Sequence, residues 1–524
     1  MPPGARLLLL TGLIAVLTAC GAGGGAGADG DPASIVPAQA GLYFEAQVRP
    51  EGDRRKDALA AAGKLLRTPD PEPRLRELLD EATKDSGEDF DYDRDVAPWL
   101  GERAGVFVGD LAADEPNGLV VAATTDEDKA RDAIEGALRR SPSGGRMRER
   151  SYAGIDYRVG ADGTAVGIVD GFLVAGDEQE LKRSVKAAES RSLADSNRYQ
   201  DTLDGLSKER LATGYLDAKE LAGAAARADP ASAAQLDQVT ARLELEKVAP
   251  VGLAFLADGD RLAVDAVQSL KGAGRLYRQL AGLASGASAP LTGELPGDAW
   301  AAYGVPKLGR SARVIYEELA GGLGGAAISE QLRQQLGLDL DEDVFRWIGD
   351  TAVFVRGTST DTLEGAVVIQ ATDPAKARRA VAKLVGVATQ RQPSLGLTPT
   401  AFPGAELAFT ARTGTPGRQG YLAVGNGRVV LGVGERATRD GLRTRGDTLA
   451  DTEGFKRARR LGGAEPSFFV SMPAVLGLAD GSGAATDPDY AKAKPYLETI
   501  SALAAGAERE GERLVSRFTV AFKE

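Results

Sequence analysis

Two kinds of side chain in this 524-residue sequence sit at spacings that chemistry could use. The first is Cys20, the only cysteine in the chain, preceded by apolar Leu17 and then by Thr18 and Ala19. A thiol becomes a nucleophile when it ionises. The second is a pair of acidic boxes. Asp91, Asp93, Asp95 and Glu102 fall at positions 1, 3, 5 and 12 of a twelve-residue span, and Asp339, Asp341, Asp343 and Asp350 repeat the pattern. Calcium loops place carboxylates at these positions, but they need glycine at position 6 for a sharp turn. Here that position holds Val96 or Val344, and Asp350 is too short for the bidentate reach of a glutamate. The boxes therefore read as acidic helix starts, with carboxylates near exposed N–H groups and Trp99 and Trp347 as core anchors. The six aspartates remain the weak metal-ligand candidates of the chain, and neither a metal nor a cofactor is expected.

Residues 1–19 read as an export signal. Arg6 supplies a positive charge, and residues 7–19 are an apolar run shorter than the roughly 20 residues a membrane span needs. Leu17-Thr18-Ala19-Cys20 resembles the lipobox of bacterial lipoproteins. The resemblance implies that Cys20 carries a diacylglyceryl group, becomes the first mature residue, and ties the chain to a membrane outside the cytoplasm. Residues 20–33 are rich in glycine and read as a flexible tether.

The chain contains no histidine, which removes the commonest general base and metal ligand. Walker A, Gly-x-Ser-x-Gly and Ser-x-x-Lys motifs are also absent. A net charge of −12, without a basic run, speaks against nucleic-acid binding. With Cys20 as the only cysteine, stability must come from packing rather than disulfides.

These residues sit within two similar stretches. The Asp91–Glu102 box is followed by Val106-Phe107-Val108, and the Asp339–Asp350 box by Val353-Phe354-Val355. An apolar strand and a helix come next in each, with Asp126 and Asp373 where N-caps belong and Pro374 in a first helical turn. Asp170-Gly171 and Asn426-Gly427 each join two apolar runs, the mark of a type I′ hairpin. Further hairpins are expected near Gly259 and Gly511. The order predicts an α+β protein of two tandem copies, residues 34–270 and 291–524, joined by a linker at 271–290. Each copy is a mainly antiparallel sheet with helices packed on it. Alternation in the segment from Arg261 predicts a strand with one face buried and one wetter.

The Asp-x-Asp-x-Asp-Val-x-x-Trp-[Leu/Ile]-Gly box followed by Val-Phe-Val resembles that of an uncharacterised family of secreted or lipid-anchored bacterial proteins, a domain of unknown function. The resemblance implies an extracytoplasmic location and brings no activity with it. The expectation is a non-catalytic, membrane-tethered binding or interaction module of the cell envelope. Its partner is an envelope protein or a small apolar ligand. The alternatives are a carrier of an apolar or lipidic ligand held between the two copies, and a carboxylate-based hydrolase.

Overall fold

The structure is a computed structural model. It describes residues 30–524, except 85–90, 111–116, 141–146, 229–230, 232, 243, 285–289, 324, 415–416 and 444–445. Cys20, the expected signal segment of residues 1–19 and most of the expected tether of residues 20–33 lie outside the described residues. The chain divides into two compact units, residues 1–274 and 275–524.

Among its described residues, unit 1 contains ten strands: β1 (Leu42–Gln47), β2 (Leu100–Asp110), β3 (Asn117–Thr124), β4 (Arg148–Tyr152), β5 (Ile155–Val159), β6 (Thr164–Val169), β7 (Phe172–Asp177), β8 (Ala212–Leu216), β9 (Val251–Ala257) and β10 (Arg261–Ser269). All pair antiparallel, in the order β4-β5-β6-β7-β3-β2-β1-β8-β9-β10. Unit 2 contains β11 (Ala299–Val305), β12 (Ile348–Arg356), β13 (Glu364–Ala371), β14 (Thr398–Pro399), β15 (Leu407–Arg412), β16 (Gln419–Gly425), β17 (Arg428–Val433), β18 (Phe468–Ser471), β19 (Ile500–Glu510) and β20 (Arg513–Phe522). Its order is β14-β15-β16-β17-β13-β12-β11-β18-β19-β20, again antiparallel throughout. Adding ten to each strand number of unit 1 gives the order of unit 2.

The hairpins follow from local chemistry. Asp170 and Gly171 have φ of 47° and 80°, and Asn426 and Gly427 have 53° and 73°. A type I′ turn requires positive φ at both central residues, which Asp, Asn and Gly tolerate. Asp373 accepts from the Lys376 N–H at 2.9 Å, capping the helix Pro374–Arg391, and Asp126 accepts from the Lys129 N–H at 3.1 Å before the helix Glu127–Arg140.

In each unit, both faces of the sheet carry a hydrophobic cluster, while β10 keeps the alternation expected of the segment from Arg261, with Ala263, Asp265 and Val267 buried and Leu262, Val264 and Ala266 half-buried. Leu119 and Val121 of β3 point to one side, onto Leu181 and Val185 of the helix Glu178–Glu189. Ala122 points to the other, with Trp99 and Ala130. In unit 2, Val368 and Phe354 lie with Phe455 and Leu442 on one face. Ile369 and Val429 lie with Trp347 and Val381 of the helix Pro374–Arg391 on the other. Successive strand residues point to opposite faces, so a strand covered on both sides is apolar at both parities.

Trp99 and Trp347 are buried, Trp99 in the cluster covered by the helix Glu127–Arg140 that follows β3 and Trp347 in the one covered by the helix Pro374–Arg391 that follows β13. Trp99→Ala and Trp347→Ala should each cost about 3–5 kcal/mol, the usual range for deleting a large buried aromatic. Urea unfolding measures it. A loss well under 1 kcal/mol at both sites would show that the indoles do not anchor the clusters.

Candidate functional site

The acidic boxes prove to be local locks. In the first, Asp91 caps the short helix Tyr92–Asp95 by accepting from the Arg94 N–H at 2.8 Å. The Asp91 N–H donates to Asp95 Oδ2 at 3.1 Å, and Trp99 Nε1 donates to the Asp95 carbonyl at 2.6 Å. The buried Asp95 carboxylate also takes Arg94 Nη2 at 2.7 Å and Arg140 Nη2 at 2.6 Å. Arg140 ends the helix Glu127–Arg140, so one ion pair ties the box to the helix that covers Trp99. Asp93 stays largely exposed, 3.7 Å from Arg76.

The second box is built alike. The Asp339 N–H donates to Asp343 Oδ2 at 2.8 Å, and Trp347 Nε1 donates to the Asp343 carbonyl at 2.8 Å. Asp339 Oδ1 accepts from the N–H groups of Asp341 and Glu342, both at 3.0 Å. Asp343 pairs with Lys383 of the covering helix, and Asp341 with Arg346 at 2.8 Å. Asp350 accepts from the Lys307 N–H at 2.9 Å. Most carboxylates of the boxes are thus engaged by an arginine, a lysine or a backbone N–H. Among the described residues, no group of three or more acidic side chains is placed to share a metal ion.

The electrostatics agree with locking. Burial pushes the Asp95 carboxyl up, but hydrogen bonds from Arg94 and the Asp91 N–H, with the Arg140 charge, outweigh it and hold it below the ordinary value. The Glu342 N–H, the Asp341 N–H and Arg333 overcome burial in the same way at Asp339.

Other buried polar groups were not foreseen. Glu45 is 5% exposed, and burial raises its carboxyl although Arg103 opposes this. It accepts from Tyr43 Oη at 2.7 Å and from Arg103 Nε at 2.8 Å. Nearby, Arg198 Nε donates to Asp217 at 2.8 Å, and Tyr215 stacks edge-on against Tyr199 at 5.2 Å. In unit 2, buried Arg356 holds Asp298 and Asp440, and buried Arg428 holds Glu294. Each of these carboxylates holds a fixed arginine, so these are structural ion pairs.

A different surface stands out in unit 2. Tyr303 is 52% exposed and Leu431 46%, with Phe518 and Val353 also exposed. Tyr303 and Val353 are direct cross-strand partners. One residue along, Ala302 and Phe354 are buried on the opposite face. The sequence signal was the loss of alternation in β12, β13 and β17, where apolar residues occupy both parities.

Among the described residues, two ten-stranded antiparallel units with helices on both faces define an α+β protein. The chain belongs to the family described as "Protein of unknown function (DUF3352)", whose profile matches residues 4–458. No curated protein matches it. Among solved structures it is similar to crystal form IV of TP0453, with 10% identity over 46% of this chain and 81% of that one at a TM-score of 0.24. Crystal form I matches with 12% identity over 47% and 81%, also at 0.24. TM-scores this low do not define a shared fold. No helix among the described residues is long and apolar enough to cross a membrane.

Two outcomes follow for the boxes. A carboxyl with a depressed folded pKa contributes stability above its unfolded pKa of about 3.9, and that stability is lost as pH falls through the folded value. Asp95→Ala should therefore cost about 1–3 kcal/mol at pH 7, the range for unpairing buried hydrogen-bonding groups. The gap from wild type should narrow in urea titrations taken from pH 5 towards pH 2. A gap independent of pH would mean that the ionised carboxylate contributes nothing. Calorimetric titration of the protein with calcium should show no site of micromolar or tighter affinity. A saturable site abolished by Asp91→Asn or Asp339→Asn would overturn the locking role.

Proposed function

We propose that this chain is a lipid-anchored, non-catalytic binding module of the bacterial cell envelope, held to the membrane from outside the cytoplasm through Cys20. The observation that carries this reading is the position of Cys20: the sole cysteine of the chain follows Leu17-Thr18-Ala19 at the end of a short apolar run behind Arg6. The glycine-rich tether supports it, since a folded body must clear the membrane surface to meet a partner. The absence of histidine and the use of Glu45, Asp95 and Asp217 in ion pairs favour binding over catalysis. The repeated strand order supports an origin of the two units by duplication of one module. Duplication enlarges a binding surface without needing new chemistry.

Metabolic labelling with an alkyne fatty acid tests the anchor. The wild-type chain should incorporate label and Cys20→Ser should not. Fractionation alone is insufficient, because an uncleaved apolar run can itself hold a precursor on the membrane. Undiminished labelling of Cys20→Ser would sink the assignment.

A further inference from the structure

Matching stretches of the two units differ in charge. Residues 374–434 of unit 2 carry eight basic residues and one acidic residue, Glu406, a net charge of +7. Residues 127–178 of unit 1 run over the same elements with eight basic and ten acidic residues, a net charge of −2. Hairpin register locates one reversal by residue. Thr164 pairs with Asp177 in β6–β7 and Gly420 with Val433 in β16–β17, so Arg418 stands where unit 1 has Asp162.

Four of the eight basic residues are neutralised by carboxylates. Arg378 pairs with Glu406, Lys376 with Glu342, Lys383 with Asp343 and Arg428 with Glu294. Arg379, Arg391, Arg412 and Arg418 have no acidic side chain within ion-pair distance among the described residues. Three of these meet at one corner of the unit. Arg391 ends the helix Pro374–Arg391 and donates to the Gln335 carbonyl at 3.3 Å. Gly396 lies so close to Arg412 that a side chain there would touch the guanidinium. Arg412 ends β15 opposite Gln419, the first residue of β16, which Arg418 precedes. Arg418 donates to the carbonyls of Leu363, at 2.9 Å, and of Thr360. Carbonyls satisfy N–H groups but leave the charge uncompensated. Arg391 and Arg412 are exposed and Arg418 is half-buried. Leu395, next to Gly396 on the turn Pro393–Leu395, is 37% exposed. Asp361, beside Thr360, brings one negative charge, and the corner stays positive.

We infer that this corner rests on the anionic phospholipid headgroups of a membrane leaflet, with Arg391, Arg412 and Arg418 on lipid phosphates and Leu395 at the edge of the acyl region. The inference deepens the proposed binding role and rests on it, since a lipid tether keeps the chain at a membrane. Two features favour a leaflet over a soluble polyanion. The first is Leu395, which gains from the acyl boundary and gains nothing from a hydrated polymer. The second is strength. Each basic residue beside an anionic leaflet raises binding about fivefold, so three give about a hundredfold. That is too weak to hold a free partner, but enough to orient a body that a tether already keeps at high local concentration. The chain as a whole carries −12, so it approaches an anionic surface favourably through a local basic patch such as this one.

The test reconstitutes the full chain in phosphatidylcholine vesicles with or without phosphatidylglycerol, each holding a trace of phospholipid with a diazirine on its headgroup. After irradiation, crosslinked peptides are mapped by mass spectrometry. Phosphatidylglycerol should raise labelling of the peptides carrying Leu395 and Arg412 at least about fivefold, and leave the peptide carrying Asp162 unchanged. Arg391→Gln combined with Arg412→Gln should return labelling to the phosphatidylcholine level. So should salt near 1 M, where the screening length is about 3 Å. Leu395→Ser should also lower it. Arg379→Gln removes a charge about 18 Å along the helix from Arg391, beyond the screening length at physiological salt, and should leave labelling unchanged. The mass of the Cys20 peptide in the same digest reports the anchor, so failure of the anchor and failure of the corner are seen separately. Labelling indifferent to phosphatidylglycerol, or spread evenly over both units, would overturn the leaflet contact. So would full competition by soluble polyphosphate with no effect of Leu395→Ser, which would make the ligand a soluble polyanion.

Discussion

Burial of the central strands on both faces is the constraint on which the rest of this structure depends. A strand between two helical layers has no water for its N–H and C=O groups, so each must find a partner in the ladder. β2 and β3, like β12 and β13, are paired on both sides. Such strands must be apolar at both parities, and β3 is buried along nearly its whole length. The requirement accounts for much of the valine and alanine of the chain. It also explains how Tyr303, Val353 and Leu431 come to be exposed in unit 2. The strands keep their two-sided apolar pattern beyond the reach of the helix Pro374–Arg391, and small Ala507 stands where the ring of Phe255 covers Phe44 in unit 1.

Charge is handled by the same rule. An isolated ion inside such a core is costly, so buried charges come paired. Arg356 holds two aspartates, Arg428 a glutamate, and Asp95 two arginines. The Asp95–Arg140 and Asp343–Lys383 pairs have a further effect. They connect the turn carrying each tryptophan to the helix lying over it, so the ion pair and the apolar contact fix the same geometry. Breaking such a pair strands the remaining charge, while the pair itself adds modest net stability.

Local features were the readable ones. Asp-Gly and Asn-Gly demand positive φ, so the β6–β7 and β16–β17 hairpins were visible in two residues each. Asp126 and Asp373 announced helix starts because their side chains bond a backbone N–H three residues on. The acidic boxes were read as helix starts, and Asp91 does cap one. Their long-range partners, Arg140 and Lys383, were not visible. Each lies some 40 residues away, and many exposed arginines and lysines compete for the assignment.

The sequence by itself determined the α+β class, the hairpin turns and the capped helix starts, because each follows from backbone preferences within a few residues. It also holds the Leu17-Thr18-Ala19-Cys20 motif, whose meaning rests on chemistry outside the described residues. Only the tertiary structure decided which apolar strand residues are covered and which are left open. Tyr303 and Phe354 look alike in sequence, each an aromatic residue inside an apolar strand. One is half-exposed and the other buried, because exposure depends on what packs across the sheet from distant parts of the chain, such as Ala507 and Phe455.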